Sequence, residues 1–251
     1  MNQSFVILLL AVASCTAFVV DPRIVNGTDA SEGEFPYVVS LRYNLSHVCG
    51  ASILSDRFIL TAAHCVYYIV PGVAADPYLF SIQYGSVSIS ATDERSVDVE
   101  KITIAAFDME KQIYDVAVLK LVSPLPNDGL WEPVKLGRDF DASSQHSGVI
   151  VGWGRLWDNG RSPTVLQKLD VSTYTSAICG EYYNNSHHIC LGASPGGACS
   201  GDSGTALVVD GAQVGIASFI TSSCGVSGPN SPNVYSRVPF YYDWILENSA
   251  N

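Results

Sequence analysis

Between its turn signals this chain repeats one local theme. Short runs rich in β-branched and aromatic residues, several of them alternating apolar with polar, recur along the sequence. Examples are "FPYVVSLRYN", "RFILTAAHC", "YLFSIQYGSVSIS", "DVAVLKLV", "HSGVIVGWG" and "LQKLDVSTY", each with the character of a strand. In "TALVVDGAQVGIASFI" the pair Asp210-Gly211 separates two apolar runs, which is a hairpin signal. "PLPNDG" and "VSGPNSPN" are loops by their Pro, Gly and Asn content. Only "PFYYDWILENSA" looks helical: Phe240, Tyr241, Trp244 and Ile245 share one face behind Pro239. Many short strands with one terminal helix predict an all-β barrel or sandwich. No solenoid repeat or low-complexity tract interrupts the pattern.

The two ends and the cysteines set the compartment. An apolar run from Phe5 to Val12 followed by small residues reads as a secretory leader cleaved after Ala17. It is shorter than the roughly 20 residues a spanning helix needs. The remaining residues, about 230, fit one large β unit or two small ones, and the 47% apolar content is enough for a substantial core. A net charge of −11 argues against nucleic acid and anionic membranes as partners. Outside the leader lie Cys49, Cys65, Cys179, Cys190, Cys199 and Cys224. Six cysteines allow about 15 pairings, of which sequence neighbours are the simplest. A metal site around "HHIC" (187–190) is the competing reading, but no second ligand pair has zinc-like spacing.

"GGACSGDSGTAL" (196–207) contains Ser203, which on its own is the ordinary chemistry of a turn. A serine nucleophile needs a base and a third group to orient that base. His64 closes the apolar run "FILTAAHCV", while His47, His146, His187 and His188 lie in polar contexts and are expected at the surface. Asp115 opens "DVAVLKL" and is either a turn residue or a buried anion for His64.

Order makes these residues specific. "IVNGTDASEGEFPYVVSL", "LTAAHC", "DVAVLKL", "GWG" (152–154) and "GDSG" follow one another, His before Asp before Ser. Over nearly all of residues 24–251 the chain resembles the trypsin/chymotrypsin family of serine proteases. The resemblance implies two packed six-stranded antiparallel β-barrels with a C-terminal helix and an active site in the cleft between the barrels. It also makes the three neighbour pairs of cysteines the family's disulfides. Ser203 would attack the scissile carbonyl, His64 would carry the proton, and Asp115 would orient His64. The amides of Gly201 and Ser203 would face the oxyanion, and Ser218 would sit beside the aspartate. "DPR" before "IVNG" resembles an activation junction. That divides the chain into a leader (1–17), a propeptide (18–23) and a protease domain of two barrel subdomains (24–251). Cleavage after Arg23 by an activating protease would free the amine of Ile24 to pair with Asp202.

The same resemblance places Gly197 at the base of the primary pocket, with Ile220 and Asn233 as walls. Without an acidic residue at 197, a cationic substrate side chain has no partner charge. Small to medium apolar P1 residues are expected, as in elastase-like members; a chymotrypsin-like preference for large apolar P1 is the alternative. After Ser203-Gly204 the family usually has Gly-Pro, whereas this chain has Thr205-Ala206. That departure keeps open a second class, a secreted binding homologue on the same scaffold. The mechanism requires no metal and no cofactor; partners are peptide or protein substrates, the activator and protein inhibitors. Asn26, Asn44 and Asn184 stand in N-x-[ST] patterns.

Overall fold

The Asp210-Gly211 pair bends as its sequence requires. Both residues have positive φ, 48° and 75°, the backbone twist a two-residue hairpin needs. In the computed structural model, which describes residues 24–68, 72–89, 95–181, 183–184 and 186–250, that turn joins the fourth and fifth of six strands forming a closed barrel. The leader and propeptide expected over 1–23, Arg23 included, lie outside the described residues.

In chain order the strands are β1 (Thr28–Asp29), β2 (Val38–Tyr43), β3 (Ser46–Ile53), β4 (Phe58–Thr61), the short pair β5 (Tyr67–Tyr68) and β6 (Val73–Ala74), β7 (Phe80–Gln83), β8 (Ser96–Ile104) and β9 (Ala117–Leu121). There follow β10 (Ser147–Gly152), β11 (Gln167–Thr173), helix α1 (Ser176–Gly180), β12 (His188–Gly192), β13 (Ala206–Val209), β14 (Ala212–Ile220), β15 (Asn233–Arg237) and helix α2 (Val238–Asn248). The first barrel closes in the order β2-β3-β4-β9-β8-β7. The second runs β11-β10-β13-β14-β15-β12, closed by β11 against β12, with β1 added outside β11. Both are antiparallel throughout, the two six-stranded barrels expected from the resemblance.

Alternation along each strand decides what lies inside. On β4, Ile59 enters the core of the first barrel with Val39, Leu41, Ile82 and Leu119. Its neighbours Phe58 and Leu60 face outward, where Val238, Tyr241 and Ile245 of α2 cover them. β9 repeats the rule: Leu119 and Leu121 point in, Val118 points to the helix. The terminal helix, reached after the second barrel, therefore clamps the first. One expectation fails here. Phe240 is 45% exposed although Tyr241 and Ile245 on the expected face are buried, because the cover that β4 and β9 offer is only one helical stripe wide.

Three disulfides join Cys49–Cys65, Cys179–Cys190 and Cys199–Cys224, the sequence-neighbour pairing. Of the histidines expected at the surface, His187 and His188 are buried, 8% and 4% exposed, and His47 is half-buried. Cys190 of "HHIC" is bonded to Cys179, which removes the sulfur a metal reading of that run needs.

Candidate active site

His64 sits on a 3-10 turn (Ala63–Val66) directly after β4, and Asp115 lies two residues ahead of β9, the strand paired with β4. Strand pairing thus carries the two together across 51 residues of sequence. His64 Nδ1 donates to Asp115 Oδ2 at 2.8 Å, and the His64 main-chain N–H donates to Oδ1 at 2.9 Å. Ser218 at the far end of β14 donates its hydroxyl to the same Oδ2 at 2.5 Å. Asp115 is 2% exposed, so its charge is buried but fully hydrogen-bonded, the condition under which a buried anion is tolerated. Burial pulls the His64 pKa down, yet the Asp115 charge and the hydrogen bond outweigh it and leave it raised above 6.5. With Nδ1 committed to Asp115, Nε2 is the remaining ring nitrogen, 3.8 Å from Cys65 Sγ of the neighbouring disulfide.

Ser203 follows a glycine-rich turn and is tied to both barrels. Its carbonyl accepts from Gly50 of β3, while the N–H of Gly204 donates to Ala217 of β14. A Cβ on Gly204 would lie 2.2 Å from Thr61 Oγ1 and 3.2 Å from the Ala62 nitrogen. The Ser203 loop therefore presses on the turn that carries His64, and only glycine fits there. Ser203 shares a cleft of about 250 Å³ with Ser218, Phe219, Ile220 and Ala198. The structure contains no Ser203–His64 hydrogen bond; such contacts commonly tighten only with substrate in place. Gly201 has φ +102°, a conformation open to glycine. Among the described residues neither its amide nor that of Ser203 is spent on a carbonyl.

Asp202 is fully enclosed. Oδ1 accepts from the Gly154 N–H at 2.8 Å and Oδ2 from the Cys199 N–H at 2.9 Å. The run "GWG" now has a physical meaning: a Cβ on Gly152 or Gly154 would stand 2.1 or 2.4 Å from the Asp202 carboxyl group. Burial pushes this carboxyl up to about 6, the two amides pulling the other way. Ile24 is 0% exposed in the core of the second barrel beside Ala198, and Val25 pairs with Gly197.

Sequence reasoning missed three supporting residues. His47, expected at the surface, is half-buried: Ser40 Oγ donates to its Nδ1 at 2.8 Å and its Nε2 donates to the Gly201 carbonyl at 3.2 Å. Burial, reinforced by Arg42, drops its pKa to about 4, so it remains a neutral strut under the Gly201 turn. Thr205 Oγ1 donates to the Asp202 carbonyl at 2.6 Å, and its methyl fills the space left by Gly50; the departure from Gly-Pro is thus an added side-chain staple. Ser227 crowds Gly197, standing 3.0 Å from where a Cβ would be. The glycines around Trp153, read as places of close approach, were the available signal for the first shell around Asp202.

The pocket residues separate into two groups. Gly197 lies outside the lining of the cleft, while Ile220 lines it. Asn233 does not: it is fully buried behind the floor, where its Oδ1 accepts from the Ala198 N–H at 2.8 Å. With Ser227 it occupies the volume that Gly197 leaves empty. Cys49, His64 and Cys65 bring one ligand atom each within 4.8 Å of one another, but both sulfurs belong to one disulfide, which leaves a single imidazole.

Two closed antiparallel barrels with a C-terminal helix are the architecture of the double-barrel serine proteases. The trypsin family model matches residues 24–245. Chymotrypsin-2 of Vespa crabro is 35% identical over 228 residues, 90% of this chain and 99% of the relative. Trypsin-1 of Astacus astacus is 32% identical, covering 90% and 100%. Transmembrane protease serine 9 of Rattus norvegicus is 34% identical over 241 residues, and this chain spans 22% of its length. Among solved structures, neuropsin, a serine protease expressed in mouse brain, superposes with a TM-score of 0.77 at 25% identity over 89% of this chain and 99% of that one. Human heparin binding protein gives 0.76 at 23% identity, over 90% and 97%, a likeness of fold. The chain belongs to the trypsin family of serine proteases.

Proposed function

We propose that this protein is a secreted endopeptidase, made as a zymogen, that cleaves peptide bonds after small to medium apolar residues through an acyl-enzyme. The observation that carries the reading is the Asp115 carboxylate, which receives His64 through two hydrogen bonds and Ser218 through a third at the cleft Ser203 lines. In this reading Ser203 attacks the carbonyl while His64 Nε2 takes its proton. The imidazolium then protonates the leaving amine, stabilised by Asp115. The amides of Gly201 and Ser203 hold the oxyanion; loss of one such donor typically costs about 10²- to 10³-fold.

Activation follows from Asp202. In the uncut chain its buried carboxyl has amide partners only, among the described residues. Cleavage after Arg23 would supply the ammonium of Ile24, whose side chain already lies in the adjoining core. An activating protease and protein inhibitors are the partners this implies. Three disulfides favour an oxidising compartment, and no helix among the described residues is long and apolar enough to cross a membrane. Asn26, Asn44 and Asn184 are exposed and available to a glycan.

The specificity reading rests on Ile220 in the cleft wall and on a Gly197 that offers no partner charge to a cationic side chain; Asn233 and Ser227 fill the space a side chain at 197 would need. The 35% identity to Chymotrypsin-2 favours large apolar P1 as the second reading. Turnover of Ala-Ala-Pro-Xaa amides by the processed protein decides: Ala or Val ahead of Phe supports the first, Phe ahead supports the second, and Arg ahead refutes both. Stoichiometric labelling of Ser203 by an organophosphonate is expected; a processed protein that stays unlabelled is a binding homologue instead.

A further inference from the structure

The residue before Asp115 is a tyrosine in a backbone conformation that tyrosine avoids. Tyr114 has φ +58°, and Gln112, two residues earlier, has φ +54°. The left-handed region is open to glycine and tolerable for asparagine, but for a bulky side chain it is an outlier that surrounding structure must hold in place. The hydroxyl of Tyr241 on α2 accepts from the Tyr114 N–H at 2.9 Å. The same oxygen lies 2.9 Å from Nδ1 of His187. While accepting from Tyr114, the hydroxyl still has its own proton to donate to Nδ1 of a neutral His187.

Other contacts close the clamp. His188 Nε2 donates to the Gln112 carbonyl at 2.7 Å. The Tyr114 ring meets His187 edge-on at 4.8 Å and Tyr241 at 5.9 Å, and His187 lies against Phe240 at 4.1 Å. Immediately beyond, Ser236 Oγ donates to the Asp115 carbonyl at 2.9 Å. Every one of these grips comes from β12 and the residue just before it, from β15 or from α2, whereas the loop they hold belongs to the first barrel.

We propose that Tyr241 and His187 are positioning residues for Asp115: they hold Tyr114 left-handed and so aim the carboxylate at His64. This deepens the serine-protease reading and rests on it. Neither side chain lines the cleft of Ser203. If the grip is released, residue 114 relaxes towards ordinary backbone angles, Asp115 turns with it, and the Asp115–His64 bond lengthens.

The test uses the full processed chain with Tyr241→Phe, which keeps the ring and removes the hydroxyl. The expected result is a fall in kcat of about tenfold or more with KM within about twofold, the split expected when a catalytic group is misaimed and substrate binding is untouched. The pH midpoint of His64, read by NMR of its ring protons, moves down because the carboxylate that raises it is displaced. Adding Tyr114→Gly, which makes the left-handed geometry free of strain, restores most of both. Should Tyr241→Phe not fold, His187→Phe keeps the stack on Phe240, removes the acceptor, and is expected to shift the midpoint in the same direction by less. An unmoved His64 midpoint in whichever variant folds, or a loss that Tyr114→Gly fails to repair, overturns the proposal. The NMR reading does not depend on turnover, so it stands even if the native protein cleaves no peptide.

Discussion

Ser218 donates its hydroxyl to the carboxylate oxygen of Asp115 that also receives His64, joining the second barrel to the base pair of the first. Removing that donor in Ser218→Ala leaves a buried charge with one partner fewer. A hydrogen bond to a charged group is worth about 1.5–3 kcal/mol, and stability should fall by a similar amount in a denaturant titration. The less satisfied carboxylate attracts the imidazolium more strongly, so the His64 midpoint should rise. A falling midpoint would contradict this account of the site.

The native pH profile has a definite sign. His64 has its pKa raised above 6.5, and the proposed base is its neutral form. The acid limb of kcat/KM should therefore lie above pH 6.5, activity falling as pH drops through it. In Asp115→Asn the charge that raises it is gone and the limb should move below 6.5. Turnover should drop by about 10⁴-fold, the loss such a change produces in a Ser-His-Asp triad. A steady-state profile of the two proteins between pH 5 and 8 checks both statements.

Cleavage after Arg23 should stabilise the protein more at neutral pH than in acid. The Asp202 carboxyl of the uncut chain is raised from 3.8 to about 6. Stability tied to it is therefore fully present below about pH 4 and lost as pH rises through about 6. At about 1.4 kcal/mol per unit that loss is roughly 3 kcal/mol. An ammonium at Ile24 would cancel it. The gap in Tm between cleaved and intact protein should widen from pH 4 to pH 7; a gap independent of pH would remove Asp202 from the activation scheme.

Gly50 and Thr205 should behave as a matched pair. A Cβ at Gly50 would lie 2.0 Å from Thr205 Cγ2, so Gly50→Ala overpacks the wall behind Ser203 and should cost about 1–3 kcal/mol. Thr205→Ser removes the offending methyl and keeps the hydroxyl that binds the Asp202 carbonyl. The double variant should recover much of the loss. Chemical denaturation of the single and double variants reads the coupling directly.

Local signals were the legible ones. The Asp210-Gly211 hairpin, the strands around Ile59 and Leu119 and the helix behind Pro239 all form where propensity and alternation place them. Four histidines were assigned to the surface by polar sequence context, and for three the assignment fails. His47 is turned inward by the Gly201 carbonyl 154 residues away, His187 by the Tyr241 hydroxyl 54 residues away, and His188 by the Gln112 carbonyl 76 residues away. Asn233 likewise left the pocket wall for the Ala198 amide. No neighbour in sequence announces such partners.

By itself the sequence determined the chemical inventory and the strands that carry it, because turn chemistry and the two-residue period of a strand act over a few residues. Only the tertiary structure decided which imidazole meets a carboxylate and which merely braces a loop. Those pairings depend on barrel closure and on a helix from one end of the chain covering strands from the other. They also decided that a tyrosine stands left-handed beside Asp115, an arrangement only the surrounding contacts can hold in place.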